Sequence, residues 1–154
     1  RFEVSYSQQS NPIFIDDFCH HPTQVQNLIL GIQQFFPGRK ICAIFQPRQF
    51  HLIKTFLKEY GEAFKGVDTV CVTDIVPALG DTKDDMQSVS IDDVLHAISR
   101  FGRVLHVVYT PSLTDVSIYL SRQSNDNNTI ITTIGAGDVY KVQDMYHNIY
   151  AYGI

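Results

Sequence analysis

Residues Pro12–Phe36 read PIFIDDFCHHPTQVQNLILGIQQFF, and this stretch decides the fold. Pro12–Ile15 is short and apolar, as a strand covered on both faces must be. The polar turn Asp16–His21 follows. Pro22 then suits the first position of a helix, where its missing N–H costs nothing. Val25, Leu28, Ile29, Ile32 and Phe36 recur at spacings of three and four, so one face of that helix is apolar. The unit is therefore strand, turn, helix.

The same unit repeats along the chain. Further strands are expected at Ile41–Phe45, Val70–Ile75, Val104–Tyr109 and Ile130–Ile134. Helical stripes lie between them: Phe56, Tyr60 and Phe64; Ile91, Val94, Leu95 and Ile98; Leu113, Val116 and Leu120. A last stripe, Val139, Val142 and Tyr146, follows the final strand. Arg1–Gln8 alternates through Phe2, Val4 and Tyr6 and meets Asn11-Pro12 at a turn, which predicts an antiparallel edge strand. Strand–helix alternation of this kind predicts an α/β domain, a Rossmann-like doubly wound, mostly parallel sheet of about six strands with helices on both faces. Gly80–Ser90 reads as the longest loop, a solvated acidic one, ending at a helix cap formed by Ser90 before Asp92 and Asp93.

Composition narrows the function. The 154 residues are 44% hydrophobic and 18% charged, which suits a single domain, 1–154, with a core of ordinary size. Twelve Lys and Arg against sixteen Asp and Glu leave a net charge of −4, unlike the basic surface that a nucleic-acid binder needs. No apolar run approaches the ~20 residues of a membrane span. Cys19, Cys42 and Cys71 are odd in number and form no CxxC pair, so they read as free thiols of a reducing compartment. Without a visible signal peptide, a cytoplasmic location is expected. Arg1 in place of Met suggests a piece of a longer protein.

Ligands of open α/β sheets bind at the carboxyl ends of the strands. Four polar segments fall there: Asp16–Pro22, Gln46–Gln49, Thr73-Asp74 and Gly135-Ala136-Gly137-Asp138. They should share one rim. His20 and His21 precede a helix N-terminus, whose amides and dipole favour anions such as phosphate. Asp16 and Asp17 would hold a magnesium ion or a ribose there, or serve only as turn formers. Arg48 offers forked donors to a carboxylate or phosphate, or is a surface residue. GAGD resembles a phosphate-cradling turn but lacks the third glycine of GxGxxG, since Tyr140 stands there; its glycines equally suit close helix–strand packing. No metal site is expected, because adjacent His20 and His21 do not converge on one ion. The chain carries no GxxxxGK[ST], no GxSxG and no activated cysteine, so no catalytic nucleophile is expected within it.

Four segments in order, IDDFCHHPTQV, FPGRKICAIFQPRQF, VTDIVPA and TIGAGDVYKV, resemble the C-terminal domain of the Mur ligases across essentially the whole chain. HHPT, FQP and GAGD resemble the alanine-adding branch. The resemblance implies a three-domain, ATP-dependent amide-bond ligase of peptidoglycan synthesis, joining L-alanine to UDP-N-acetylmuramate through an acyl phosphate. The first domain would bind the UDP-sugar, and the second would carry the P-loop, ATP and Mg2+. This chain would be the third, closing over the nucleotide and presenting the amino acid, and inactive alone. Asp16, Asp17, Phe18, His20 and His21 would form the nucleotide-facing loop, with Phe18 where the family usually has tyrosine.

After Gln46-Pro47 the family typically continues with histidine, arginine, an aromatic, a polar residue and a second arginine. Here Arg48, Gln49, Phe50, His51 and Leu52 follow, so Gln49 and Leu52 occupy the two arginine positions. Amino-acid binding would then fall to Arg48, Gln49 and His51. Gly135, Gly137 and Asp138 match the family's glycine turn and are read as structural. Two other readings remain: a diverged, non-catalytic Mur-ligase-like module, and a phosphoacceptor receiver-type domain using Asp74. The latter needs a lysine after the last strand, where Gly135 stands.

Overall fold

The computed structural model describes residues 2–5, 12–123 and 128–152. It contains one six-stranded sheet: β1 (Phe2–Ser5), β2 (Ile13–Asp17), β3 (Lys40–Phe45), β4 (Thr69–Val72), β5 (His106–Tyr109) and β6 (Thr129–Ile134), in the order β1-β2-β6-β3-β4-β5. Only β1 runs antiparallel, pairing Phe2 with Asp17 and Ser5 with Phe14. Its observed span is shorter than the expected Arg1–Gln8, of which residues 1 and 6–8 lie outside the described set. This is the mostly parallel sheet, with its antiparallel edge, that the patterning predicts.

Register does more than order the strands. Asp17 pairs with Ile134, Ile134 with Phe45, Phe45 with Val72, and Val72 with Tyr109. All five parallel strands therefore end on one row, and the residue after each belongs to one rim.

The helices are α1 (Pro22–Phe35), α2 (Phe50–Thr55), α3 (Leu57–Ala63), α4 (Lys83–Ser88), α5 (Ile91–Gly102), α6 (Leu113–Ser121) and α7 (Val142–Tyr152). Alternate strand residues feed opposite cores, because successive side chains leave a strand on opposite faces. Ile13, Ile15, Ala43, Phe45, Val70 and Val72 meet the stripes of α1, α3 and α5. Phe14, Cys42, Ile44, Cys71 and Ile131 meet α6 and α7. Each fully buried Ile or Phe contributes roughly 1.5–3 kcal/mol relative to exposure.

Gly80–Ser90 is not simply a loop, because it contains α4. Its start is a capping box: Thr82 Oγ1 accepts from the Asp85 amide, and the Asp85 carboxylate accepts from the Thr82 amide. The helix was hidden because it buries no residue and so has no apolar stripe. The Phe56, Tyr60 and Phe64 stripe is α3, capped by Phe56 and Phe64, with the short α2 ending just before it.

Helices α3 and α5 pack backbone to backbone. A Cβ on Gly61 would lie 2.2 Å from the Ala97 carbonyl oxygen, and one on Gly102 would lie 2.5 Å from the Gly61 carbonyl oxygen. Backbone meets backbone there, with no side-chain end able to yield. Gly61→Ala should therefore lower stability by roughly 1–3 kcal/mol. A fall in the urea midpoint at constant m-value would register this.

Candidate functional site

The rim is assembled from four turns. In the first, Asp17 Oδ1 accepts from the Cys19 amide at 2.8 Å, and Asp16 Oδ1 accepts from Thr133 Oγ1 at 2.6 Å. Both carboxylates are thus committed to holding the turn and strand β6. Burial, reinforced by the Asp17 charge, pushes the Cys19 thiol well above its ordinary range, so it is not a thiolate. Phe18 projects outward with half of its surface exposed, and its ring stands edge-on to His20 at 6.2 Å.

The N-terminus of α1 differs from expectation. Thr23 donates its amide to His21 Nδ1 at 3.3 Å, while the His20 and His21 amides donate to Gln24 Oε1. The Gln24 and Val25 amides both reach the His21 carbonyl. The first-turn donors are used internally, so this helix end is not a free anion cradle. Accepting at Nδ1 also means that neutral His21 carries its hydrogen on Nε2. Beneath the turn, the buried Tyr60 hydroxyl donates to the His20 carbonyl, tying the turn to α3. Burial raises the pKa of that phenol, so it remains a donor.

The second turn follows β3. Gln46 is buried, donates Nε2 to Asp138 Oδ1 at 3.1 Å, and presses Oε1 against Gly137. A Cβ on Gly137 would sit 2.1 Å from that oxygen, so any larger residue there would push the Gln46 amide aside. The Gln46 hydrogen bond first, then its own backbone amide and the charge of Lys141, hold the Asp138 carboxyl below its usual range against the effect of burial. Arg48 Nη1 reaches the Ala136 carbonyl at 3.5 Å, joining the arginine turn to the glycine turn. Gly135, at φ 153°, closes against the Gln46 carbonyl. Its amide donates to the Asp17 carbonyl, so the glycine turn also touches the first turn. Gln49 adopts φ 65°, an uncommon backbone for a side-chain-bearing residue, and its amide donates to the Val76 carbonyl.

The third turn contains the residue that sequence reasoning missed. Asp81 is not solvated: its side chain is fully covered. Oδ2 accepts from the Ala78 amide at 2.8 Å and the Phe50 amide at 3.3 Å, while Oδ1 lies 2.9 Å from His51 Nδ1. Burial alone would raise this carboxyl, but the hydrogen bonds from Ala78, His51 and Phe50 outweigh it and hold the carboxyl below its usual range. Only the separation of 30 residues hid the pair. Asp74, the receiver-type candidate, accepts from the Tyr109 hydroxyl.

The rim thus brings together the His20, Arg48, His51 and Gly135 turns. A groove of about 510 Å³ runs from Phe18 and His20 down α1 past Leu28 to Phe35. Among the described residues no group of three His, Cys, Asp or Glu side chains converges to hold a metal ion. Nor is any described helix long and apolar enough to cross a membrane.

The family model described as "Mur ligase, glutamate ligase domain" matches residues 1–137. UDP-N-acetylmuramate–L-alanine ligase of Protochlamydia amoebophila (strain UWE25) is 38% identical over 132 residues, 86% of this chain and 28% of that protein. The ligase of the same name from Desulfitobacterium hafniense (strain Y51) is 32% identical over 142 residues, 92% of this chain and 30% of that protein. The chain thus spans less than a third of the length of these relatives. The crystal structure of UDP-N-acetylmuramate-alanine ligase MurC from Thermotoga maritima superposes with a TM-score of 0.69 at 22% identity, covering 100% of this chain and 30% of that one. A domain of a putative UDP-N-acetylmuramate:L-alanyl-gamma-D-glutamyl-diaminopimelate ligase from Haemophilus ducreyi gives 0.66 at 18% identity, covering 97% of this chain and 99% of that one. The chain belongs to the Mur ligase family, as its glutamate ligase domain.

Proposed function

We propose that residues 1–154 form the C-terminal domain of a three-domain ATP-dependent ligase that joins L-alanine to UDP-N-acetylmuramate in the cytoplasm, for peptidoglycan synthesis. The observation that carries this reading is the similarity, over most of the chain, to proteins named UDP-N-acetylmuramate–L-alanine ligase. The UDP-sugar and P-loop domains would be supplied by the rest of the protein, so the domain alone would be inactive.

ATP, when bound, supplies the phosphoryl group that activates the muramoyl carboxylate as an acyl phosphate. The outward rings of Phe18 and His20, beside an apolar groove, suit contact with a flat base. His21 holds the helix behind them. Asp16 and Asp17 do not fit a magnesium site, since Thr133 and the Cys19 amide already claim them and no third ligand converges. Mg2+ is therefore not assigned to this chain.

Amino-acid presentation falls to the neighbouring turn. Arg48 is half-buried and anchored at one nitrogen by Ala136, which leaves the remaining guanidinium donors for a carboxylate. Gln49 offers an amide where the family expects a charge. Gly135, Gly137 and Asp138 keep Gln46 and Arg48 in place and act structurally.

The decisive assay uses the full-length protein with UDP-N-acetylmuramate, ATP and Mg2+. L-alanine-dependent phosphate release is expected; its absence would leave the domain as a non-catalytic binding module. Arg48→Ala should raise the L-alanine KM roughly ten- to hundredfold, because a charge-assisted hydrogen bond contributes about 1.5–3 kcal/mol. Conversely, Gln49→Arg with Leu52→Arg should lower that KM if positions 49 and 52 face the substrate. An unchanged KM would put recognition elsewhere on the rim.

A further inference from the structure

The Asp81–His51 pair determines which nitrogen the imidazole shows to the rim. An ionised carboxylate only accepts hydrogen bonds, so the 2.9 Å contact requires a hydrogen on His51 Nδ1. Asp81 is kept in that state because its other oxygen is claimed by the Ala78 and Phe50 amides. The ring cannot swap roles without breaking this arrangement. Neutral His51 therefore carries its lone pair on Nε2, and half of its side chain is exposed.

That polarity separates His51 from Arg48. An amino acid brings an ammonium group, which donates, and a carboxylate, which accepts. Arg48 complements the carboxylate. An Nε2 lone pair complements the ammonium.

We infer that His51 is the proton acceptor for the amino group of the incoming amino acid, and that Asp81 is its positioning residue. This deepens the ligase reading and rests on it. One ammonium N–H bond breaks, its electron pair stays on nitrogen, and the proton bonds to His51 Nε2. The freed lone pair attacks the activated carbonyl carbon. The carbon–oxygen bond to phosphate breaks with its electron pair, and phosphate leaves with the surplus proton of the new amide nitrogen. Asp81, beside Nδ1, stabilises the imidazolium formed. Asp85, from α4 packed on α2, adds a second negative charge near the ring, while Lys54 on α2 is exposed. An imidazole already protonated at Nε2 has no lone pair there and cannot take the proton.

The test uses the full-length enzyme. His51→Gln should lower kcat/KM for L-alanine about a hundredfold at neutral pH. The deficit should shrink as pH rises, because solution then supplies the free amine, and added imidazole should partly restore the rate. Hydroxylamine, uncharged at neutral pH, needs no base; its conversion to hydroxamate from the acyl phosphate should stay within about twofold of wild type. Asp81→Asn should behave like His51→Gln. Its amide oxygen must turn toward the two backbone donors, so its NH2 faces Nδ1 and moves the ring hydrogen to Nε2. A pH-independent deficit, a parallel loss with hydroxylamine, or an unchanged kcat/KM in His51→Gln would overturn the assignment. A wild-type enzyme without amino-acid-dependent phosphate release would overturn the ligase reading itself, and the assignment with it.

Discussion

Strand β6 is hydrogen-bonded in parallel to β2 on one side and to β3 on the other, and every one of its residues from Thr129 to Ile134 is buried. A strand so placed has no solvent to satisfy its backbone, so both ladders must form in register. That demand aligns the ends of five strands on the row Asp17, Ile134, Phe45, Val72 and Tyr109. The rim follows from it, because each chain leaves the sheet at the same level and turns into the same strip of surface.

Along that strip the carboxylates and the outward-facing groups divide their work. Asp16, Asp17, Asp81 and Asp138 each accept hydrogen bonds from the protein itself. They act as bolts between turns distant in sequence: Asp16 to Thr133, Asp138 to Gln46, Asp81 to the start of α2. Phe18, His20, Arg48 and His51 supply the aromatic and basic groups of the strip. An acidic domain thus turns aromatic and basic groups outward along this strip, beside the exposed Asp74 and Asp138, while Asp81 is covered.

The fold was legible in the chain because apolar periodicity is a local property. The strands of the parallel sheet, the antiparallel edge and the stripes of α1, α5, α6 and α7 could each be read from windows of a few residues. Helix α4 was not, since it buries nothing, although Thr82 and Asp85 carry the same three-residue spacing that marked Ser90. The site was legible only in part. The segments Asp16–Pro22, Gln46–Gln49 and Gly135–Asp138 could be assigned to one rim from strand–helix alternation alone. The state of the α1 N-terminus could not: whether its amides are free depends on where Gln24 and the His21 ring turn.

Asp81 makes the distinction plain. In the chain it is one acid among several in a polar stretch, with nothing nearby to set it apart from Asp84 or Asp85. In the folded protein it is wholly covered and holds the Phe50 amide and the His51 ring. Local order wrote the strands, the helix faces and the family motifs, because those depend on residues a few positions apart. The partners of Asp16, Asp81 and Asp138, and with them the tautomer that His51 offers at the rim, were decided only by tertiary packing, which brings together groups separated by 30 residues or more.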